Sequence, residues 1–203
     1  MLRLGILAST NATDMQAIIE AIDAKKLDAR ISVVISNKKD AFALERARRH
    51  GIKAIFIDSN GKEREQFDKE VAVELDKEKV ELILLIGYMR FLSPWFVNKY
   101  KYIIMNIHPS LLPKYAGGMN RKIHEQVLKN KEKTTGATLF FVDEGADSGP
   151  IILQKKVKIE KNETVDSLKE KVQKAEQEII IKAVELFGKK KIEMKNKKVT
   201  IKN

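Results

Sequence analysis

Four short, largely apolar runs separated by helical patterns constrain this sequence more than any other feature. Leu2 to Ala8, Ile31 to Ile35, Ile55 to Ile57 and Val80 to Gly87 are strand-like stretches without a wet face. Between them lie a helical pattern opening at Met15, another over Ala41 to His50 with Gly51 as its stop signal, and a charged amphipathic stretch from Glu63 to Lys77. Strands that are apolar on both faces belong in a parallel sheet covered on both sides by helices. Right-handed crossovers then give a doubly wound α/β fold, whose ligand crevice lies beyond the carboxyl ends of the strands.

The second half changes character. Tyr102 to Met105 reads as a further strand and Arg121 to Lys129 as a short helix. Thr138 to Val142 and Ile151 to Ile159 read as strands joined by the loop Asp143 to Gly149, a connection that suits an antiparallel pair. Leu168, Val172, Ala175, Ile179, Ala183 and Leu186 recur at helical spacing, so a long helix follows, ended by Gly188. The expected fold is therefore a mostly parallel sheet with an antiparallel C-terminal part and a long C-terminal helix. No repeat or linker interrupts the 203 residues, a length that suits one domain able to bury roughly 70% of its unfolded surface.

Composition removes several function classes. The chain has no cysteine, which excludes disulfides, thiolate metal sites and a cysteine nucleophile. The longest apolar run, Leu82 to Ile86, has the length of a buried strand and falls far short of the ~20 residues that span a bilayer. The start, Met1 to Gly5, runs directly into a strand pattern without a signal-like apolar region, so a cytoplasmic protein with no membrane partner is expected. The net charge of +11 raises the question of nucleic acid. Eight of the 39 basic residues are arginine and the other 31 lysine, and much of the excess sits between Lys189 and Lys202. Readers of bases and phosphates rely on arginine's bidentate fork, so a solvated lysine-rich surface is the expectation and no specific nucleic-acid partner is.

The densest chemical signal is Asn106-Ile107-His108-Pro109-Ser110-Leu111-Leu112-Pro113. Residues two apart on an extended segment point to one side, so Asn106 and His108 should project together while Ile107 faces the core. Pro109 holds His108 extended. The pair is expected directly after an apolar strand, where the crevice should be. An amide and an imidazole side by side can both donate to an oxygen that turns negative as a carbonyl carbon becomes tetrahedral. Taken alone, the same residues also fit a turn with a buried histidine. Asp147, beside Asp143 and Glu144, fits a solvated acidic turn equally well. Arg90 reads as an ordinary strand-end arginine, and Gln173 and Glu176 simply share a helix face.

Asn106 to Pro113 resembles the signature of the formyltetrahydrofolate-dependent formyltransferase family, which includes glycinamide ribonucleotide and methionyl-tRNA formyltransferases. Asp147-Ser148-Gly149-Pro150-Ile151-Ile152 resembles the family's catalytic-aspartate loop. Gly87-Tyr88-Met89-Arg90-Phe91-Leu92-Ser93-Pro94 resembles its folate-pocket segment, and Val172-Gln173-Lys174-Ala175-Glu176 its ribose-binding helix stretch. The four motifs fall in the family's order, and the resemblance runs from about Leu2 to Phe187. It implies a Rossmann-like fold with a nucleotide-binding half over residues 1–100, a catalytic and folate-binding half over 101–188 and a lysine-rich tail over 189–203. It further implies catalytic roles for Asn106, His108 and Asp147, with Asp147 keeping His108 protonated and relaying a proton. Met89, Arg90, Leu92 and Val142 would meet the folate. Asn11, Ala12, Thr13 and Asp14 would hold the substrate phosphate, with Pro109, Gln173 and Glu176 on the rest of the nucleotide.

The implied reaction passes a formyl group from 10-formyltetrahydrofolate, as co-substrate, to the glycyl amine of glycinamide ribonucleotide without a metal. The amine attacks directly through a tetrahedral intermediate, in a monomer or homodimer acting on small molecules. A relative acting on another amine, such as an amino sugar nucleotide, and a non-catalytic folate- or nucleotide-binding module are the alternatives. A tRNA-acting member would carry a C-terminal barrel, for which the stretch after Phe187 is too short. A formyl-folate hydrolase would usually carry an N-terminal regulatory domain, whereas a strand pattern begins here at Leu2.

Three departures from the family's pattern stand out. Relatives often have glycines in the turn that holds phosphate on backbone N–H groups, but no glycine lies between Gly5 and Gly51. Asn11 is expected to take the left-handed conformation instead, and Asp14, where asparagine is common, to act as an N-cap. Phe140 stands where histidine is frequent. Of the other histidines, His50 reads as a helix-end residue and His124 as an exposed one.

Overall fold

Each apolar run becomes a strand because its side chains find cover on both faces. A computed structural model of the chain describes residues 1–118, 120–196 and 198–202, with Asn120 lacking a described side chain. The chain divides into two compact units, residues 1–106 and 107–203.

The first unit runs β1 (Leu2–Leu7), α1 (Thr13–Asp23), β2 (Ala29–Ser36), α2 (Phe42–Arg49), β3 (Ala54–Phe56), α3 (Arg64–Lys77), β4 (Leu82–Leu85) and α4 (Pro94–Lys99), then enters β5 (Ile104–His108). β1 pairs with β2 and β4, β2 with β3, and β4 with β5, all in parallel. Leu4, Ile6 and Leu7 of β1 and Leu82 to Leu84 of β4 are fully buried. Each such side chain contributes about 1.5–3 kcal/mol relative to exposure. Ser93 starts α4 by accepting from the Phe96 N–H at 3.3 Å, with Pro94 at the first helical position, where its missing N–H costs nothing.

The second unit contains α5 (Asn120–Lys129), β6 (Thr134–Phe141), β7 (Ile151–Lys158), α6 (Val165–Gly188), β8 (Ile192–Lys195) and β9 (Lys198–Ile201). β6 and β7 are antiparallel, as their connecting loop suggested. The full strand order is β3-β2-β1-β4-β5-β6-β7, a mostly parallel sheet that ends in the antiparallel β6–β7 pair. α6 opens with a capping box between Thr164 and Ser167, and its periodic residues from Leu168 to Leu186 are buried.

Several boundaries depart from the sequence reading. β5 continues through Asn106 to His108, so the pair lies within the strand rather than after it, and Ile107 is only half-buried. Its carbonyl end is held in the ladder beyond the point where the apolar run stops. α6 ends at Gly188, as expected, and the chain reverses two residues later at Lys190, whose φ is 55°. The lysine-rich tail folds as the β8–β9 hairpin, whose ladder is extended by Lys202 N–H donating to Lys191 O at 2.9 Å.

Candidate active site

The second unit builds a three-part arrangement around His108. β5 carries the imidazole, and only 4% of the residue is exposed. Nδ1 lies 3.1 Å from Asp147 Oδ2, and Nε2 lies 2.9 Å from the Tyr115 carbonyl oxygen. The same Asp147 oxygen accepts from the Gly117 N–H at 2.8 Å. Burial alone pushes the Asp147 carboxyl up, but hydrogen bonds from His108 and Gly117 and the charge of the ring hold it below the usual carboxylate value. A carbonyl can only accept, and so can an ionised carboxylate, so both ring nitrogens face acceptors. The arrangement would suit an imidazolium.

Local sequence explains how the loop delivers Asp147. Asp143 closes its start, accepting from Gly145 N–H at 3.1 Å and from Ser148 Oγ at 2.8 Å. Gly149 ends it where a Cβ would collide with the Phe141 carbonyl, so only glycine lets the chain pass. Asp147 itself takes φ 52°, a left-handed conformation that aspartate tolerates better than most residues. Tyr115 is also left-handed, at φ 62°, which turns its carbonyl toward His108. Its hydroxyl meets Glu132 at 3.3 Å and the Asn130 amide at 3.0 Å. Asn106, two residues before His108 on β5, is half-buried, and its side-chain amide bonds to no described residue.

The first unit holds the turn Ser9 to Asp14 and the segment Gly87 to Ser93. Ala12, not Asn11, adopts the left-handed conformation, with φ 46° and ψ 56°, and stands at the N-cap of α1 without a side-chain cap bond. Ala12 is buried while Asn11 is exposed, so the smaller residue takes the tight inner position. Asp14 therefore lies in the first turn of the helix rather than capping it, and is only 5% exposed. A carboxylate there is stabilised by the helix dipole. A cavity of about 400 Å³ opens beside this turn, lined by Ser9, Thr10, Asn11, Lys38, Asp40, Ala41 and Phe42.

Gly87 has φ 59°, and a Cβ on it would collide with Thr10 Oγ1. Beyond it, Met89 and Phe91 are 51% and 66% exposed, while Arg90 is half-buried with its guanidinium over the Phe67 ring at 4.5 Å. Asp68, buried on α3, accepts from the Ser93 N–H at 2.6 Å and fixes the far end of the segment. Its carboxyl is pushed up by burial against the opposing pull of Ser93 and Arg90.

A formyl transferase family model matches residues 2–184. The chain belongs to the formyl transferase family. It is 39% identical over 190 residues to the phosphoribosylglycinamide formyltransferase of Escherichia coli strain K12, a match spanning 93% of this chain and 88% of that protein. The crystal structure of glycinamide ribonucleotide transformylase 1 from Symbiobacterium toebii aligns with a TM-score of 0.94 at 36% identity, covering 100% of this chain and 95% of that one. A trifunctional purine biosynthetic protein of Chironomus tentans is 41% identical over 189 residues, although the chain spans only 14% of that protein's length.

In this formyl transferase the remaining sequence-named residues divide between the two units. Met89, Arg90 and Leu92 share one pinned segment of the first, and Val142, half-buried, follows β6 in the second. Pro109 is buried directly after His108. Glu176 is buried on α6, with Gln173 half-buried one turn earlier. His124 is not exposed, as its place on an amphipathic helix suggested, but 1% exposed, and burial followed by the charge of Lys169 brings its pKa down to about 4. Phe140 is packed inside β6. Sequence reasoning missed the Tyr115 carbonyl and the Gly117 N–H, both backbone groups. The Gly117-Gly118 pair was the only signal that the chain turns there. No helix is long and apolar enough to cross a membrane, and no metal-ligating cluster occurs among the described residues.

Proposed function

We propose that this chain transfers the formyl group of 10-formyltetrahydrofolate to the glycyl amine of glycinamide ribonucleotide, the activity named for its E. coli relative. The observation that carries the reading is the His108 ring held between Asp147 and Tyr115, two residues after Asn106, whose amide bonds to no described residue. The amine attacks the formyl carbon, and the carbonyl oxygen becomes an oxyanion. The Asn106 amide and His108 donate to it. A full negative charge outcompetes a neutral carbonyl for a charged donor, so the oxyanion replaces Tyr115 O at Nε2. Asp147 receives the proton lost by the attacking amine and returns it to the departing folate nitrogen, directly or through one water. The C–N bond to folate then breaks as the carbonyl re-forms on the glycyl nitrogen, with no covalent enzyme intermediate.

Met89, Arg90, Leu92 and Val142 are assigned to the folate, where exposed apolar side chains such as Met89 suit a flat ring. Asn11 to Asp14 are assigned to the phosphate, and Pro109, Gln173 and Glu176 to the nucleotide's remainder. The chain acts on small molecules, as a monomer or homodimer in the cytoplasm. One observation favours a different amine acceptor: the carboxylate of Asp14 in the first turn of α1, where it opposes a phosphate. A single assay separates the readings. Consumption of 10-formyltetrahydrofolate is followed with glycinamide ribonucleotide, with an amino sugar nucleotide and with water alone. The fastest rate is expected with the ribonucleotide, and a faster rate with the amino sugar overturns the assignment.

A further inference from the structure

The turn assigned to the ribonucleotide and the segment assigned to the folate are joined through Ser9. Its hydroxyl donates to Asn37 Oδ1 at 2.6 Å and accepts from the Met89 N–H at 2.9 Å. A hydroxyl has one proton, so the bond to the buried Asn37 orients a lone pair toward Met89. The backbone repeats the connection, since Ser9 N–H donates to Gly87 O at 3.0 Å. The next residue closes the gap: Gly87 packs so tightly on Thr10 that a Cβ would collide with its hydroxyl. These contacts sit where the parallel neighbours β1 and β4 end, with Leu7 opposite Leu85. On the other side of the turn, Ala43 N–H donates to Thr10 O at 3.2 Å and Arg46 Nε to Asn11 O at 3.4 Å. A displacement of the turn is therefore carried to the Met89 N–H through one side chain.

Resting on the substrate reading above, we propose that Ser9 is a positioning residue that couples the two substrates, so that each binds more tightly when the other is present. A ligand on either segment immobilises the shared Ser9–Asn37–Met89 bonds, and the second ligand then orders less chain on binding. By linkage the effect is reciprocal. The test uses tetrahydrofolate, which has no formyl group to transfer, titrated calorimetrically alone and with saturating glycinamide ribonucleotide. In the parent the ribonucleotide tightens tetrahydrofolate binding by about 5–10-fold, the low end of usual coupling. Ser9→Ala brings that ratio within about twofold of unity while each ligand alone still binds, and Ser9→Thr, which keeps the hydroxyl, retains the coupling. Coupling that persists in a folded Ser9→Ala protein, or no coupling in a parent that binds both ligands, overturns the proposal and leaves the substrate reading intact. A parent that binds tetrahydrofolate but not the ribonucleotide overturns the substrate reading, and the coupling with it.

Discussion

Asp147→Asn isolates the charge in the proposed catalytic set, because it preserves size and removes only ionisation. In the parent, one carboxylate oxygen accepts from His108 Nδ1 at 3.1 Å and from Gly117 N–H at 2.8 Å. Asparagine has a single acceptor oxygen. In the parent's position that oxygen still accepts from both donors but carries no charge, so the opposite charge that favours the imidazolium is gone. His108 then becomes neutral, with its proton on Nε2 facing Tyr115 O. Loss of a charge-assisted hydrogen bond costs about 1.5–3 kcal/mol. Loss of the proton carrier lowers turnover by at least roughly 10²-fold. The stability effect has a definite sign in pH. The folded-state pKa of Asp147 is depressed, so its contribution is present above the unfolded value of ~3.9 and disappears as pH falls through the lower folded value. The difference in urea stability between parent and variant should therefore be full at pH 7 and shrink in acid. Nitrogen NMR of the ring provides the direct readout. Near neutral pH the parent should give the pattern of a doubly protonated imidazole and the variant that of a singly protonated one. A variant that keeps more than a tenth of parental turnover, or whose His108 ring stays doubly protonated, refutes the reasoning.

His108→Ala should reduce turnover by about 10²–10⁴-fold with little change in tetrahydrofolate affinity, and a variant retaining a tenth of the parental rate removes His108 from the mechanism. Gly87→Ala forces a side chain into φ 59° and against Thr10 Oγ1, so urea unfolding should show a loss of about 1–3 kcal/mol, and an unchanged midpoint contradicts the close approach. Crystals soaked in phosphate should place the anion on the backbone N–H groups of Asn11 to Asp14. An anion found elsewhere, together with equal reactivity of the unphosphorylated riboside, assigns the turn a different role.

The periodicity of the chain was enough to establish its parallel core and its long C-terminal helix. β1, β2 and β4 are apolar on both faces, which only a covered parallel sheet satisfies, and α6 repeats its apolar residues at helical spacing over most of its length. The spacing of two between Asn106 and His108 was equally legible, because alternation along a strand is a local property. Where β5 ends was not, since the last residues of a strand depend on the neighbour they pair with and not on their own polarity. The burial of His124 was hidden for a related reason: an amphipathic pattern cannot say how far packing covers its polar side. Nor could residue types alone place the left-handed turn. Ala12 takes it in preference to Asn11, where an inner position favours the smaller side chain over intrinsic propensity. The ring of acceptors around His108 belongs wholly to the tertiary structure. Asp147 meets Gly117 across 30 residues of chain, and the Tyr115 carbonyl that holds Nε2 is a backbone group carried by every residue. Local pattern reports which side of an element is buried. Only the closed chain decides which donor meets which acceptor, because those partners are brought together by loop conformation and not by the identity of the residues that supply them.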